Sequence, residues 1–246
     1  MTGQPAPRPS RRERPAKPAL TRDGIVGTAV ALMRAEGLQR VTMRRLAQEL
    51  DTGPASLYVY VRNTAELHAA VLDDLLGGVD LGPARADGDW RGRLVRILTS
   101  YTDVLFEHPG LARSALVARP SGERYLDLVE ALLSLLDEGG VPGDRAAWAI
   151  DLLLQFATAT AAEHAAGDKG ATETEGEGEW AALAAAVRGA SRERHPHIAE
   201  RGADLLSGPG EARLDWGFHV LINGVLRTAL PDPPGAPTAT ASPDTP

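Results

Sequence analysis

An all-α fold is what this chain predicts, and three observations predict it. Alanine, leucine and arginine dominate the composition while β-branched residues are sparse, which favours helix over strand. Apolar residues recur at helical spacing, as at Ile25, Ala29, Leu32 and Met33 (i, i+4, i+7, i+8), in one segment after another. Between the segments lie Gly/Pro-rich or acidic breaks such as "GGVDLGPARADGD" (77–89), and no stretch carries a strand signal.

The elements follow in order. Residues 1–19 are rich in Pro, Arg and Ala without periodicity and read as a disordered basic arm. Thr21 is placed to cap a first helix, which stops at Gly37, a suitable C′ residue. Thr42 caps a second helix carrying Leu46, Ala47 and Leu50. After the break "DTG" (51–53) the pattern restarts at Pro54, the first helical position, where a missing N–H costs nothing. Thr64 reads as the cap of a longer helix from Ala65 to about Leu76. Further helices are expected over 89–107, 111–117, 122–138, 144–166, 177–193 and 211–229. The acidic "GDKGATETEGEGE" (167–179) reads as a loop, and the Pro-rich residues 231–246 as a disordered tail. The expected domains are 20–66 and 67–230.

Several function classes fall away on composition. The chain has no cysteine, which excludes disulfides, thiolate metal sites and cysteine nucleophiles. It lacks an apolar run long enough to span a membrane, and its basic N-terminus lacks the apolar core of a secretory signal; a cytoplasmic protein is expected, without a membrane partner. The net charge of −7 hides an asymmetry. Residues 1–65 hold 11 Lys+Arg against 5 Asp+Glu, whereas the remaining 181 hold 15 against 28. One basic end on an acidic body points to a polyanion meeting that end, with a merely solvated basic tail as the bland alternative.

Two short helices joined by a three-residue break make a helix-turn-helix, in which the second helix lies in the DNA major groove. That helix can be short because only its N-terminal residues reach base edges. Leu57 and Val61 are expected to hold it, in a core with Leu46, Ala47, Leu50, Ile25, Ala29 and Leu32. Ser56, Tyr58 and Tyr60 then point outward, where a hydroxyl reaches phosphate or base edges without desolvating a full charge. Arg44, Arg45 and Arg62 supply cations. Two of these residues keep a second reading: Tyr58 packed on the core, and Arg45 as a solvated surface arginine.

Over about residues 20–76, through Gly37, Thr42, "RRLAQEL", the turn, "SLYVYVRN" and the helix entered at Leu67, the chain resembles the TetR family of bacterial repressors. The resemblance implies base reading by Arg44, Pro54, Ala55 and Ser56, and phosphate contacts by Tyr58, Val59, Tyr60 and Thr64. Asp51 stands where glycine is common in the family; aspartate tolerates the left-handed conformation at modest cost. Arg8, Arg11, Arg12, Arg14 and Lys17 of the arm are placed to track the minor groove.

The body is similar, more loosely, to the tetracycline-repressor type of C-terminal domain, through "DW" (89–90), "ARPSGERY" (118–125), "GGVPGDRAAWAI" (139–150) and "EARLDWGFHVLINGVL" (211–226). That likeness implies a ligand tunnel and a helical bundle shared with a second subunit. Leu214, Phe218, Leu221, Ile222 and Val225, widened by Trp216, make an apolar stripe for the homodimer, or else complete the chain's own core. Ala115, Ile97 and Ala131 stand where a magnesium–tetracycline site would need histidine and amides. Glu163 alone matches that site, and one carboxylate does not hold magnesium. A mainly apolar small-molecule effector is expected instead, contacted by residues among Trp90, Tyr101, Phe106, Trp148, Gln155 and Phe156, with Glu163 and His164 as further candidates. Each of the first six has the ordinary core as its leading alternative, since pockets and cores are made of the same residue types.

No cofactor and no metal are expected. The histidines show no ligand spacing, and His195-Pro196-His197 reads as a surface pair in a loop. Nothing supports an enzyme: there is no nucleophile–base pair and no phosphate-cradling glycine loop. The leading reading is a ligand-responsive repressor that binds a palindromic operator as a homodimer. The alternative is a DNA-binding regulator without effector that acts through protein partners.

Overall fold

The computed structural model describes residues 19–116, 120–168 and 173–231. The arm cations Arg8, Arg11, Arg12, Arg14 and Lys17, and the tail from 232 onward, lie outside them. Among the described residues there is no strand; the fold is helical throughout.

The head begins with α1 (Arg22–Glu36). Thr21 Oγ1 accepts from the Gly24 amide, and Gly37 closes the helix at φ 85°, a conformation that favours glycine. A short 3-10 turn (Leu38–Arg40) leads to α2 (Met43–Glu49), capped by Thr42. The break that follows is a Schellman end. The Asp51 amide donates to Gln48 O and the Thr52 amide to Ala47 O, with Asp51 itself at φ 48°. The turn therefore needs one left-handed residue, and aspartate takes that place. Next comes α3, the four residues Pro54–Leu57, followed by turns to Val61.

The next helix, α4 (Thr64–Leu76), starts one residue earlier than the sequence reading. Its cap is Asn63, whose side chain accepts from the Glu66 amide at 2.8 Å, and Thr64 is its first helical residue. Both residue types cap well, so the sequence alone did not separate them. On its head side, α4 packs along α1; on its body side it meets α6 and α7. Ile25, Ala29, Leu46, Ala47, Leu57, Val61, Leu67 and Val71 close the head core at essentially zero exposure, whereas Leu50 sits half-buried at its edge.

The body runs through a 3-10 turn (Gly82–Arg85), α5 (Trp90–Phe106), α6 (Pro109–Ala115), α7 (Glu123–Glu138), α8 (Gly143–Asp168), α9 (Glu173–Arg188), α10 (Pro196–Leu205) and α11 (Gly210–Arg227). At its centre is α8, packed on α5, α6, α7, α9 and α11. Two expected loops are largely helix. Most of 167–179 belongs to the end of α8 and the start of α9, with 169–172 outside the described residues. His195-Pro196-His197 opens α10, with proline at its first position, where its fixed φ suits a helix start. Low apolar content hid α10: none of its residues is buried.

At the far end of the body, Trp90 covers Gly139 so closely that a Cβ there would fall within its indole, and the Arg91 guanidinium lies 4.7 Å from that ring. Beside it the buried Arg93 donates to Ala86 O and pairs with Glu138. This is a structural clamp.

Candidate nucleic-acid interface and body cavity

The head presents a consistent outward surface. Arg44, Pro54, Ala55 and Ser56 are exposed, Tyr58 is 51% exposed and Val59 81%. They protrude because Leu57 and Val61, at zero exposure, pin the intervening turn from inside. Tyr58 is thus free, not packed on the core. The Arg62 side chain is also exposed, and its Nε pairs with Glu66 Oε2 at 3.0 Å across the first turn of α4. The Arg62 amide, bonded to the same carboxylate, and then that pairing hold the Glu66 carboxyl below its ordinary range.

Three expectations change here. Tyr60 is half-buried and packs against the core instead of pointing outward. Thr64 is half-buried in the first turn of α4. Arg45 is occupied: it meets Glu36 Oε1 at 2.5 Å and Glu49 Oε2 at 2.8 Å, bracing α2 against the end of α1. Its hydrogen bond lowers the Glu36 carboxyl from the ordinary value and raises the guanidinium in turn. Arg44, its neighbour, has no ion pair among the described residues and stands free toward solvent.

In the body, a cavity of about 150 Å³ opens between α4, α5, α6, α7 and α8. Leu72, Ala115, Leu116, Pro120 and Leu154 form its apolar wall; Tyr101, Tyr125, Asp151, Gln155 and Thr158 form the polar one. Buried at the back, Tyr101 and Thr158 share a hydrogen bond of 2.8 Å between their hydroxyls. Burial lifts the Tyr101 phenol above its ordinary value, with the Thr158 bond acting the other way, so the phenol is neutral across the physiological range. Asp151 and Gln155 are exposed and stand at the mouth.

Of the residues the sequence nominated for a ligand, the structure brings Tyr101 and Gln155 to this cavity and sets others elsewhere. Trp90 belongs to the clamp. Phe106 is half-buried against the core. Phe156 packs edge-on against Phe218 of α11, with ring centres 5.4 Å apart, and against Gly217. Trp148 is 61% exposed and Glu163 is exposed, both away from the cavity. The side chain of His164 lies outside the described residues. The sequence reading missed Leu72, Tyr125, Asp151 and Thr158. The spacing of Asp151, Gln155 and Thr158 on one side of α8 was the available signal. Among the described residues no cluster of three His, Asp or Glu side chains stands ready for a metal ion. None of the described helices is long and apolar enough to cross a membrane.

The dimer stripe is corrected as well. Leu214, Phe218, Ile222 and Val225 are buried inside the chain's own core, and Leu221 is half-buried against it. Periodicity finds the face that must be covered; it does not say by what. The large apolar residues that α11 leaves outward are Trp216, 69% exposed, and Val220.

Comparison with known proteins gives a consistent picture. Residues 25–71 match the family described as "Bacterial regulatory proteins, tetR family", and residues 82–229 match "Tetracyclin repressor-like, C-terminal domain". The chain is similar to the transcriptional repressor DrrR1 of Streptomyces coeruleorubidus, 34% identical over 53% of this chain and 48% of that protein. It spans about half the length of the first curated relatives it matches. The class A tetracycline repressor of Escherichia coli is 28% identical over 84% of this chain and 90% of its own. Among solved structures, the Streptomyces transcription regulator SCO7704 is 59% identical, with a TM-score of 0.75 covering 88% of this chain and 100% of that one. ActR of Streptomyces coelicolor, in complex with actinorhodin, is 32% identical with a TM-score of 0.75, covering 85% and 96%.

Proposed function

This chain belongs to the TetR family of bacterial regulatory proteins, and on that premise we propose that it is a ligand-responsive repressor. Its homodimer binds a near-palindromic operator, and a small molecule in the body cavity releases it. One observation carries the reading: Leu72, on the helix that leaves the head, is itself part of the cavity wall. A molecule in the cavity therefore presses on the element that carries the DNA-reading surface.

Base reading falls to Arg44, with Pro54, Ala55 and Ser56 following it into the major groove, and Tyr58, Val59 and Arg62 against the backbone. A free guanidinium suits guanine, whose O6 and N7 take a bidentate pair. Arg45 is left to architecture by its two carboxylates.

The ligand is more polar than an apolar-core reading suggests. Tyr101 and Thr158 hydrogen-bond to each other at the back of the cavity, so a hydroxyl or carbonyl of the ligand inserts into an existing bond, while Leu72, Leu116 and Leu154 cover an apolar body. Typical ligand pockets run to roughly 300–1,000 Å³; a cavity of about 150 Å³ has to widen, and widening moves its walls. Actinorhodin, found in the ActR structure, is a sensible first compound to screen.

For the dimer, the seam we assign is made by the outward apolar residues Trp148 and Leu152 of α8 and Trp216 and Val220 of α11, two helices that pack on each other. Two copies joined there supply two recognition helices, which an operator needs roughly 34–36 Å apart. Trp216→Glu combined with Val220→Glu should yield a monomer by sedimentation that has lost operator binding; a dimer would discard this seam.

Selection of duplexes from a random pool, repeated with Arg44→Ala, tests the reading itself. An enriched inverted repeat that relaxes in the variant is the expected result. No enrichment would leave a general DNA binder and favour regulation through protein partners.

A further inference from the structure

Helix α7 begins without a cap of its own. Its N-cap position is Gly122, which has no side chain, and the amide of Tyr125 donates instead to Asp73 Oδ1 of α4 at 3.0 Å. The first turn of a helix leaves its amides without internal partners, and a carboxylate there gains from the hydrogen bond and from the helix dipole together. This carboxylate comes from 52 residues away.

The joint is built to admit it. A Cβ on Gly122 would fall inside the Asp73 carboxylate, although φ −87° at Gly122 suits any residue. Glycine is required there for space. In the opposite direction, Arg124 of α7 reaches to Gly77 at the end of α4, its Nε lying 3.5 Å from where a Gly77 Cβ would stand. A cation at the C-terminal end of α4 and an anion at the N-terminal end of α7 tie the two helices by complementary charge.

The tie stands between cavity and head. Leu72 precedes Asp73 in sequence, and Tyr125 owns the amide that Asp73 holds; both line the cavity. Toward the head, Leu67 and Val71 of α4 are fully buried in its core, and His68 Nε2 lies 3.2 Å from Val41 O in the loop before α2. The same rigid helix thus carries the head at one end and the cap at the other.

We propose that Asp73 is a positioning residue for DNA binding. By capping α7 from α4 it sets the angle of the head on the body, and it is the joint through which an occupant of the cavity moves the head. The second half rests on the reading of the cavity as a ligand site; the first half stands without any ligand.

The absence of cysteine makes a direct test practical. Spin labels at Gln48→Cys on the head and Arg96→Cys on the body, in labelled chain diluted with unlabelled, report the head–body distance within one chain. Three backgrounds are compared: the parent, Asp73→Ala, and Asp73→Ala with Gly122→Asp. The last gives α7 a cap of its own without tying it to α4. The expected result is a narrow distance in the parent that shifts or broadens in both variants, while only the double variant regains the parent's thermal midpoint. Operator affinity falls at least about fivefold in both, the low end of usual coupling between sites.

A double variant that regains the parent distance along with its midpoint would make Asp73 an ordinary cap and overturn the proposal. Asp73→Asn covers the case in which Asp73→Ala does not fold. Ala115→Phe, which fills the cavity from its own wall, then tests the joint: the head should move in the parent and not in the double variant. Equal movement in both would overturn the coupling. Failure of the operator selection above, with these distances as expected, would strike the repressor reading alone.

Discussion

The head and the body share the same helix chemistry and differ in what they leave outside. In the head, almost every large apolar residue is inward: Ile25, Leu46, Leu57, Val61 and Leu67 are fully buried, and the large apolar side chains left outward are Tyr58 and Val59. In the body, a full core coexists with Trp148, Trp180, Leu183, Trp216 and Val220 in the open, and with a cavity inside. A region whose apolar surface is all accounted for can be read from what protrudes. A region with apolar surface left over has a partner still to come, and its inner wall serves packing and recognition at once.

That contrast can be broken at four places. The largest effect is expected at Leu57, fully buried in a helix of only four residues. Leu57→Ala should cost about 2–5 kcal/mol and abolish operator binding, read by denaturant titration and band shift. The body should keep its oligomeric state; its loss would show that head and body fold as one unit.

Next comes the buried hydroxyl pair. Tyr101→Phe leaves Thr158 with one partner fewer and should destabilise by about 1–3 kcal/mol, whereas adding Thr158→Val should return most of the loss. Calorimetry of the two variants checks this. If Tyr101→Phe changes nothing, a polar inner wall is the wrong picture.

Thr42→Ala removes the side-chain cap of α2 and should cost about 1 kcal/mol. Operator affinity should fall with stability, since the turn that Thr42 caps carries Arg44.

The smallest effect is the pH dependence of the Glu36–Arg45 brace. Arg45 holds the Glu36 carboxyl below its ordinary value of 4.5, so the folded state binds fewer protons than the unfolded. The brace therefore contributes above that value and is lost as pH falls through the lowered folded value. Thermal midpoints of the wild type and Glu36→Gln should differ near neutrality and converge in acid; a constant gap would mean that the brace does not titrate.

How much of this was legible beforehand varies with how local the cause is. The Thr21 and Thr42 caps, the stop at Gly37 and Pro54 at a first helical position all depend on a few neighbouring residues, and all are present. Asn63 against Thr64 was misjudged by one position because either residue can cap. Helix α10 escaped because it is short and poor in apolar residues, Ile198 and Leu205 being its large ones, and proline stands at its start. The pairing of Arg45 with Glu36 joins α1 to α2, and no spacing rule relates residues in separate helices. The same holds for the cavity, where Tyr101 meets Thr158 across 57 residues.

By itself, then, the sequence determined the helical class, the reading head and the residues that fill its core, because periodicity, caps and turn chemistry act over one or two turns. The tertiary structure alone decided which arginine is free and which is tied. It also decided that Leu214, Phe218, Ile222 and Val225 face inward, that Trp216 does not, and that Asp73 caps a helix far from it in sequence. Each of those outcomes depends on which surfaces meet, and an apolar stripe or a carboxylate carries the same local signal whatever it meets.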